Sequence, residues 1–340
     1  MKIAIEPVYD RYGGMYPYIS GIKKFSAHKV KEVPSAFTRV FLNRNRWLKL
    51  RYKEFKSRAG LGAYDVVHSM SYPWFMNLGY ISRSAGCKWV HTYHIIFFEE
   101  DYIGGLKPWQ KEVNSAQTGL ASKADVRIST SKWVHDYLLE EYSIETEIVM
   151  GGIDVELCQK ANAERFVKKH GLSDFVLFVG SIREHKNPRL FMELASRMPG
   201  VNFVMIGPGL NEKKARESFS ISLPQNLVLM DKIERTDVLD AMSACKAYVL
   251  TSKHEGFPQS VLEAMAIGKT VVISSYRGSE EIVPTSEYGF VFKTDSIEEL
   301  VKRTKEALES KSAGKKAQQR VIANYSWDKQ IKRIDQFYES

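Results

Sequence analysis

Short apolar runs recur along the whole chain, and stretches with apolar residues at helical spacing separate them. Runs of about four to eight residues alternating with helices are typical of parallel sheets covered by helices on both faces. In the first half, the pattern predicts strands at Lys2–Glu6, Asp65–Ser69, Lys88–His94, Val126–Thr130 and Glu147–Met150. In the second half, it predicts strands at Phe175–Val179, Phe203–Ile206, Leu227–Met230, Ala247–Thr251, Thr270–Ser274 and Gly289–Phe292.

A pair of glycines separates the two halves. The sequence Gly151-Gly152 follows the fifth predicted strand and precedes a polar helix, which favours a break between domains. The 340 residues are enough for each half to bury its own core. We therefore predict an α/β fold of two doubly wound parallel-sheet (Rossmann-like) domains, with residues 1–152 in the first and 153–324 in the second.

The last segment of the chain predicts an amphipathic helix. Ser326 is suited to cap its beginning, and Trp327, Ile331, Ile334 and Phe337 fall on one face. The pattern alone leaves open which of the two domains this face covers.

Composition places the chain among globular proteins. It has 44% hydrophobic and 26% charged residues, and no apolar run reaches the roughly 18 residues of a membrane span. The opening residues are typical of a strand rather than of a signal peptide, so we expect a cytoplasmic protein. Cys87, Cys158 and Cys245 have no C-x-x-C spacing, which argues against a disulfide framework or a zinc site.

The net charge of +9 is concentrated in one segment. Residues 22–58 contain twelve lysines and arginines against two glutamates. Within this segment, an apolar helical face lies beside a basic surface, which favours an anionic membrane. The predicted membrane or acceptor patch consists of Arg44, Trp47, Arg51 and Lys53. A solvated basic face, an acidic polysaccharide or a nucleic acid are the alternatives.

Two glutamates eight residues apart, Glu255 and Glu263, bracket the start of a short helix. Pro258 is tolerated in a first helical turn, Ser260 can cap that turn or lie in it, and Gly268 ends the helix. The exposed N–H groups of such a helix start suit a pyrophosphate. One carboxylate could then face a sugar while the other accepts the hydroxyls of a ribose.

This segment resembles the E-x(7)-E signature of family-4 retaining glycosyltransferases, which have the two-domain GT-B fold. The context that carries the resemblance is Glu255-Gly256-Phe257-Pro258 before the helix and Glu-Ala-Met-Ala-x-Gly-Lys-Thr-Val-Val after it. The resemblance implies that the second domain binds a nucleotide-sugar donor through Gly256, Phe257, Ser260 and Glu263, with Glu255 at the transferring sugar. It also implies that the final helix, with residues 325–340, returns to the first, acceptor-binding domain.

Ligands of open α/β sheets bind at the carboxyl ends of the strands. Gly14 follows the first strand, where a missing side chain admits a phosphate or sugar, although an ordinary flexible turn explains it equally. His94 ends the third predicted strand, where the family carries a histidine facing the donor sugar. The alternative for His94 is a satisfied core residue, which is how we interpret His91.

The loop after the strand Phe175–Val179 departs from the family pattern. Lys186 matches the lysine that neutralises the departing diphosphate, but Ser181 stands where the family has an arginine. Arg183 can supply the missing charge or can be a surface residue. Further on, Lys232 and Ile233 align weakly with the segment that contacts the base.

Together, these features predict a glycosyltransferase that moves a sugar from a nucleoside-diphosphate sugar to a glycan or lipid-linked acceptor, with retention of configuration. We expect no cofactor and no metal, because no D-x-D triplet occurs in the chain. The alternatives are an epimerase or phosphorylase of the same fold, or a nucleic-acid-binding protein. The sugar, the base and the acceptor are not predicted.

Overall fold

The structure is a computed structural model that describes residues 1–8, 15–33, 63–94, 96–219 and 223–340. Its contacts divide the chain into two units. The first consists of Met1–Glu100, Gly104–Gly152 and Trp327–Ser340, and the second of Asp101–Ile103 and Ile153–Ser326. Each unit contains one six-stranded parallel sheet, so the predicted fold of two parallel α/β sheets is confirmed.

The first unit is built on the sheet order β2-β1-β3-β4-β5-β6. Its strands are β1 Lys2–Ile5, β2 Lys29–Glu32, β3 Val66–Ser69, β4 Lys88–Tyr93, β5 Val126–Ser129 and β6 Glu147–Ile148. Its helices are α1 Met15–Phe25, α2 Pro73–Arg83, α3 Pro108–Ser115, which continues into a π-helical turn Ala116–Leu120, and α4 Lys132–Tyr142, with 3-10 turns at Glu99–Asp101 and Ala121–Lys123.

The second unit has the sheet order β12-β11-β10-β7-β8-β9. Its strands are β7 Phe175–Val179, β8 Asn202–Ile206, β9 Leu227–Met230, β10 Ala247–Leu250, β11 Thr270–Ser274 and β12 Phe290–Phe292. Its helices are α5 Val155–Gln159, α6 Ala163–His170, α7 Pro188–Arg197, α8 Glu212–Phe219, α9 Arg235–Ala244, α10 Gln259–Ala266, α11 Ser279–Ile282, α12 Ile297–Glu309 and α13 Ala313–Asn324, with a 3-10 turn at Glu184–Lys186.

The sequence missed one described strand, β2. The eleven predicted strands all occur, with ends within two residues of the prediction. Strand β2 has the sequence Lys-Val-Lys-Glu, and among the described residues it pairs with β1 alone, at the edge of the first sheet. Edge strands commonly carry charged side chains. Such a strand therefore need not contain the apolar run by which the other strands were predicted.

The final helix, α14 Trp327–Glu339, belongs to the first unit, as the resemblance implied. Its buried residues Trp327, Ile331, Ile334 and Tyr338 join a core formed with β1 and α1. Phe337 is only partly buried, so the predicted apolar face turns slightly to include Tyr338. The Tyr338 hydroxyl lies 2.6 Å from Nδ1 of His68, which is buried in β3.

Trp327 packs where two glycines leave room for its indole ring. A Cβ built on Gly21 would come within 2.0 Å of Trp327 Cε2, and one built on Gly152 within 2.3 Å of Cδ2. No side chain fits at either position unless the tryptophan moves. The helix α1 therefore accepts an interior glycine, which is unfavourable in a helix, so that the final helix can dock.

Replacing Gly21 by alanine should destabilise the first unit by about 1–3 kcal/mol, because the added methyl overpacks the indole. Helix propensity alone predicts the opposite sign, a gain of about 1 kcal/mol. Gly119→Ala is the matched control, since a Cβ there meets no atom of the described residues within 4 Å. Chemical denaturation of the unmodified protein and the two variants measures their free energies of unfolding. An unchanged or higher value for Gly21→Ala would refute the close packing of Trp327 against Gly21.

The predicted membrane or acceptor patch of Arg44, Trp47, Arg51 and Lys53 lies outside the described residues, as does Gly14. Their assigned roles stay predictions. Among the helices that the structure describes, none combines the length and the apolar character needed to cross a bilayer.

Candidate active site

The second sheet reverses its strand order between β7 and β10. These two strands are neighbours, while β8 follows on the far side of β7 and β11 on the far side of β10. The chain therefore leaves the two strands in opposite directions and opens a crevice at their carboxyl ends, where open α/β sheets bind ligands. The loops that border this crevice are residues 180–187 and 251–258.

Hydrogen bonds join the two loops. The Thr251 hydroxyl lies 2.8 Å from the carbonyl oxygen of Asn187, and the Lys253 amide donates to the carbonyl of His185 at 2.8 Å. Asn187 has left-handed backbone angles, φ 47° and ψ 51°, and turns the chain into α7 at Pro188. The residue between His185 and Asn187, which is Lys186, is therefore held on both sides.

Lys186 and Glu255 form an ion pair across the crevice, with 2.6 Å between Nζ and Oε1. Their side chains are 24% and 9% exposed. Burial alone would raise the pKa of Glu255, but the charge and hydrogen bond of Lys186 outweigh it and hold that pKa below its ordinary value. The Glu255 carboxylate beside Lys186 is thus ionised at neutral pH.

The other predicted cation of this loop, Arg183, is exposed at the start of the 3-10 turn. His185 contributes no charge near neutral pH, because burial and the neighbouring Lys186 lower its pKa to about 4. The structure thus places Lys186 against Glu255 and leaves Arg183 at the surface. That Arg183 supplies the charge of the arginine absent at Ser181 stays a prediction.

Helix α10 starts beside the crevice. Pro258 is its cap residue rather than a member of its first turn, and Gly268 follows the helix with a φ of 87°, as expected of a terminating glycine. Ser260 lies in the first turn, where its Oγ accepts a hydrogen bond from the Tyr248 hydroxyl at 2.8 Å. Phe257 is buried before the helix, with its ring centroid 6.4 Å from that of Tyr325.

Glu263 is more buried than a surface carboxylate would be, with 3% exposure. The guanidinium of Arg235, at the start of α9, donates to its Oε1. Its Oε2 has no hydrogen-bond partner in the described part of the chain. The arginine orients the carboxylate and leaves one oxygen able to accept hydroxyls. The sequence did not indicate Arg235, because nothing in its local pattern sets it apart from a solvated helix residue.

Further buried polar atoms near this helix have no hydrogen-bond partner among the described residues. They are Nε2 of Gln259, in the first turn, and the hydroxyl of Tyr276, which follows β11. Burial raises the pKa of Tyr276, and the charge of Glu255 raises it further. Buried polar groups in proteins are almost always satisfied, so these atoms have bonding capacity that a polar ligand or water can use. Position after a strand was the only sequence signal for Tyr276.

In the first unit, His94 directly follows β4 and is buried against Tyr18, with ring centroids 5.3 Å apart. Burial lowers its pKa to about 4, so the ring is neutral at physiological pH. Nδ1 has no hydrogen-bond partner within the described ranges. By contrast, His91 is fully buried with Nδ1 2.8 Å from Ser69 Oγ, which is the environment of a core histidine.

The proposed base-contacting residues follow β9. Lys232 is exposed and Ile233 is partly buried. Between them and the strand, Asp231 accepts the backbone N–H groups of Gly209 and Lys232 at 3.0 and 2.8 Å. These bonds fix the backbone of the loop, while the contact with a base stays a prediction. No group of three metal-ligating side chains occurs in the part of the chain that the structure describes.

Comparison with known families covers both halves of the chain. The model described as glycosyl transferases group 1 matches residues 160–327, and the model of glycosyltransferase family 4 matches residues 15–157. The chain belongs to the family-4 glycosyltransferases. The E-x(7)-E segment and the crevice of the second unit both lie inside the first of these matches.

Two relatives of this chain are named as glycosyltransferases with different substrates. The Escherichia coli UDP-Gal:alpha-D-GlcNAc-diphosphoundecaprenol alpha-1,3-galactosyltransferase is 23% identical over 81% of this chain and 75% of its own length. The D-inositol 3-phosphate glycosyltransferase of Mycobacteroides abscessus is 25% identical over 78% of this chain and 63% of its own length. The chain thus spans 59% to 75% of the length of the first curated relatives that it matches.

Among solved structures, Anabaena HepE in complex with UDP and glucose is similar to this chain, with a TM-score of 0.79 and 17% identity. The alignment covers 100% of this chain and 99% of HepE. At this identity, the likeness supports the GT-B fold and not a substrate.

Replacing Lys186 by methionine should leave Glu255 buried without its cationic partner, at a cost of about 3 kcal/mol at pH 7. In the native protein, the lowered pKa of Glu255 contributes stability above its ordinary value of 4.5, and this contribution is lost as the pH falls. In the variant, burial raises that pKa, so stability is lost as the pH rises. The difference between the two free energies of unfolding should therefore grow from pH 4.5 to 7.5.

Lys253→Met is the matched control for this measurement. Lys253 pairs with Asp295 at 3.5 Å, and the Asp295 side chain is 56% exposed, so at most about 1 kcal/mol should be lost. The double variant Lys186→Met/Glu255→Gln should lose the pH dependence. A difference that stays flat with pH would show that Glu255 is not the group that titrates.

Proposed function

We propose that this chain transfers a sugar from a nucleoside-diphosphate sugar to a lipid-linked or glycan acceptor, with retention of the anomeric configuration and without a metal ion. The observation that carries the proposal is the partly buried Lys186–Glu255 pair at the point where the strand order reverses. It lies beside a helix start whose neighbourhood contains unsatisfied polar groups. The helix start and Lys186 suit the negative charge of a diphosphate. The carboxylates of Glu255 and Glu263 suit the hydroxyls of a sugar and a ribose.

In this proposal, Lys186 and the helix-terminal N–H groups near Ser260 stabilise the negative charge that develops on the departing diphosphate. Glu255 is a poor candidate for a covalent nucleophile because it is already paired with a cation; instead it orients the sugar. Glu263, held by Arg235, accepts the hydroxyls of the ribose through its second oxygen. His94, being neutral, can only donate or accept a hydrogen bond and is assigned to the donor sugar by the family resemblance.

The donor and acceptor classes are supported by the relatives. The name of the E. coli relative specifies a UDP-sugar donor and a diphosphoundecaprenol acceptor. We extend these classes to this chain, with UDP as the first nucleotide to test. The absence of a D-x-D triplet from the sequence supports metal independence.

With an α-linked donor, the product should carry an α linkage, and a chelator should change the rate less than twofold. The donor is chosen from UDP- and GDP-hexoses as the one that raises the melting temperature most, since a ligand of the native state stabilises it. Proton NMR of the product then reports the anomeric configuration. A β-linked product, or a rate that magnesium restores after chelation, would contradict the proposal. Formation of a sugar 1-phosphate from added phosphate would favour a phosphorylase.

We also propose that the basic segment of residues 22–58 holds the protein on an anionic membrane surface, beside a lipid-linked acceptor. Its surplus of ten positive charges accounts for more than the whole net charge. Each basic residue near such a surface contributes about 1 kcal/mol, so several together can bind the protein at moderate salt.

Vesicles that contain phosphatidylglycerol should co-sediment with the protein at low salt and release it at high salt. Replacing Arg44, Arg51 and Lys53 by glutamate should weaken this binding by at least about two orders of magnitude, because the loss of three attractive charges alone removes about 3 kcal/mol. The control replaces Lys302, Lys305 and Lys311, which are exposed in the second unit, with the same change in net charge. Equal loss in both triple variants, or no binding by the unmodified protein, would refute membrane docking by this segment.

A further inference from the structure

Three residues from the first half of the sequence belong to the second unit. The segment Asp101–Ile103 groups with the second unit, although Met1–Glu100 and Gly104–Gly152 group with the first. It contacts both loops that border the crevice between β7 and β10. The sequence does not indicate this role, because the segment contains no motif and follows no strand directly.

Asp101 is the buried residue of this segment and contacts the loop of Glu255. Its Oδ2 lies 3.6 Å from Nδ1 of His254 and 3.4 Å from Nη1 of Arg277. The side chains of Asp101 and His254 are only 8% and 2% exposed. His254 directly precedes Glu255, and Arg277 directly precedes Gly278, the cap residue of α11. One carboxylate therefore contacts two loops that follow neighbouring strands, β10 and β11.

The remainder of the segment contacts the loop of Lys186. The amide of Ile103 donates to Oε1 of Glu184 at 2.9 Å, and the ring centroid of Tyr102 lies 6.1 Å from that of His185. Glu184, His185 and Lys186 form one 3-10 turn. The segment thus contacts the sequence neighbours of both members of the Lys186–Glu255 pair.

We propose that Asp101 is a positioning residue for Glu255. A buried carboxylate is costly unless it is paired, so its ion-pair contacts with His254 and Arg277 favour one placement of these two residues. Because Glu255 is the next residue after His254, a fixed His254 restricts where the Glu255 carboxylate can lie. A misplacement of about 1 Å in a group that orients a reacting centre can lower a rate by about 100-fold. The effect on rate rests on the proposed function, whereas the effect on position does not.

The positional part is tested by hydrogen exchange of the unliganded full-length protein. Asp101→Asn keeps the shape of the side chain and removes its charge. We expect amide exchange in the peptide that contains residues 252–257 to accelerate about tenfold or more, since the Lys253 amide is bonded to His185 in the native protein. Asp237→Asn is the matched control in the same unit. It removes the partner of Lys169 and should leave this peptide unchanged.

The catalytic part is tested with UDP and UDP-glucose as probes. The Kd of UDP should stay within about twofold in Asp101→Asn, while the release of UDP from UDP-glucose should slow about 10-fold to 100-fold. Asp101→Glu should recover part of the rate. If Asp101 acts through Glu255, the double variant Asp101→Asn/Glu255→Gln should be no slower than Glu255→Gln alone.

Each outcome decides a separate point. Unchanged exchange at residues 252–257 in Asp101→Asn overturns the positioning role, whatever the activity. Altered exchange with fully additive losses of rate overturns the route through Glu255. If the unmodified protein binds UDP but transfers no sugar from any UDP- or GDP-hexose, the proposed function fails. The exchange result still establishes or refutes the positioning by Asp101.

Discussion

The ion pair between Lys186 and Glu255 is the interaction on which the candidate site depends. Two opposite charges are stable in a largely buried position only if each has the other as a partner and the surrounding backbone holds them together. The second sheet provides this backbone, because β7 and β10 are adjacent and end at the same edge. Bonds from Thr251 and Lys253 then fix the loop of Lys186 against the loop of Glu255.

The arrangement around this pair combines rigidity with unsatisfied bonding capacity. Arg235 orients Glu263 and Tyr248 orients Ser260, so these two side chains of α10 have defined positions. Gln259, Glu263 and Tyr276 nevertheless retain buried atoms without hydrogen-bond partners among the described residues. Such atoms lower the stability of a folded protein, and a ligand that bonds to them restores what is lost. Preorganised groups of this kind bind polar substrates with little rearrangement.

The fold was predictable because buried parallel strands are continuous apolar runs, and eleven of them could be found directly. Strand β2 was missed because an edge strand does not need an apolar run. The positions of Glu255, Lys186 and Ser260 were predictable because a motif and a strand end specify them locally. The contacts of Arg235, Asp101 and Tyr276 were not, because they depend on which loops the sheet order brings together. No local pattern in the sequence encodes that order.

A crystal structure of the protein with UDP tests most directly whether the crevice between β7 and β10 binds the donor. We predict that the diphosphate lies within hydrogen-bond distance of Lys186 Nζ and of the start of α10, with the ribose hydroxyls on Oε2 of Glu263. The hydroxyl of Tyr276 or the amide of Gln259 should then gain a partner. Nucleotide bound elsewhere, with the Lys186–Glu255 pair and Glu263 Oε2 untouched, would contradict the assignment of this crevice as the donor site.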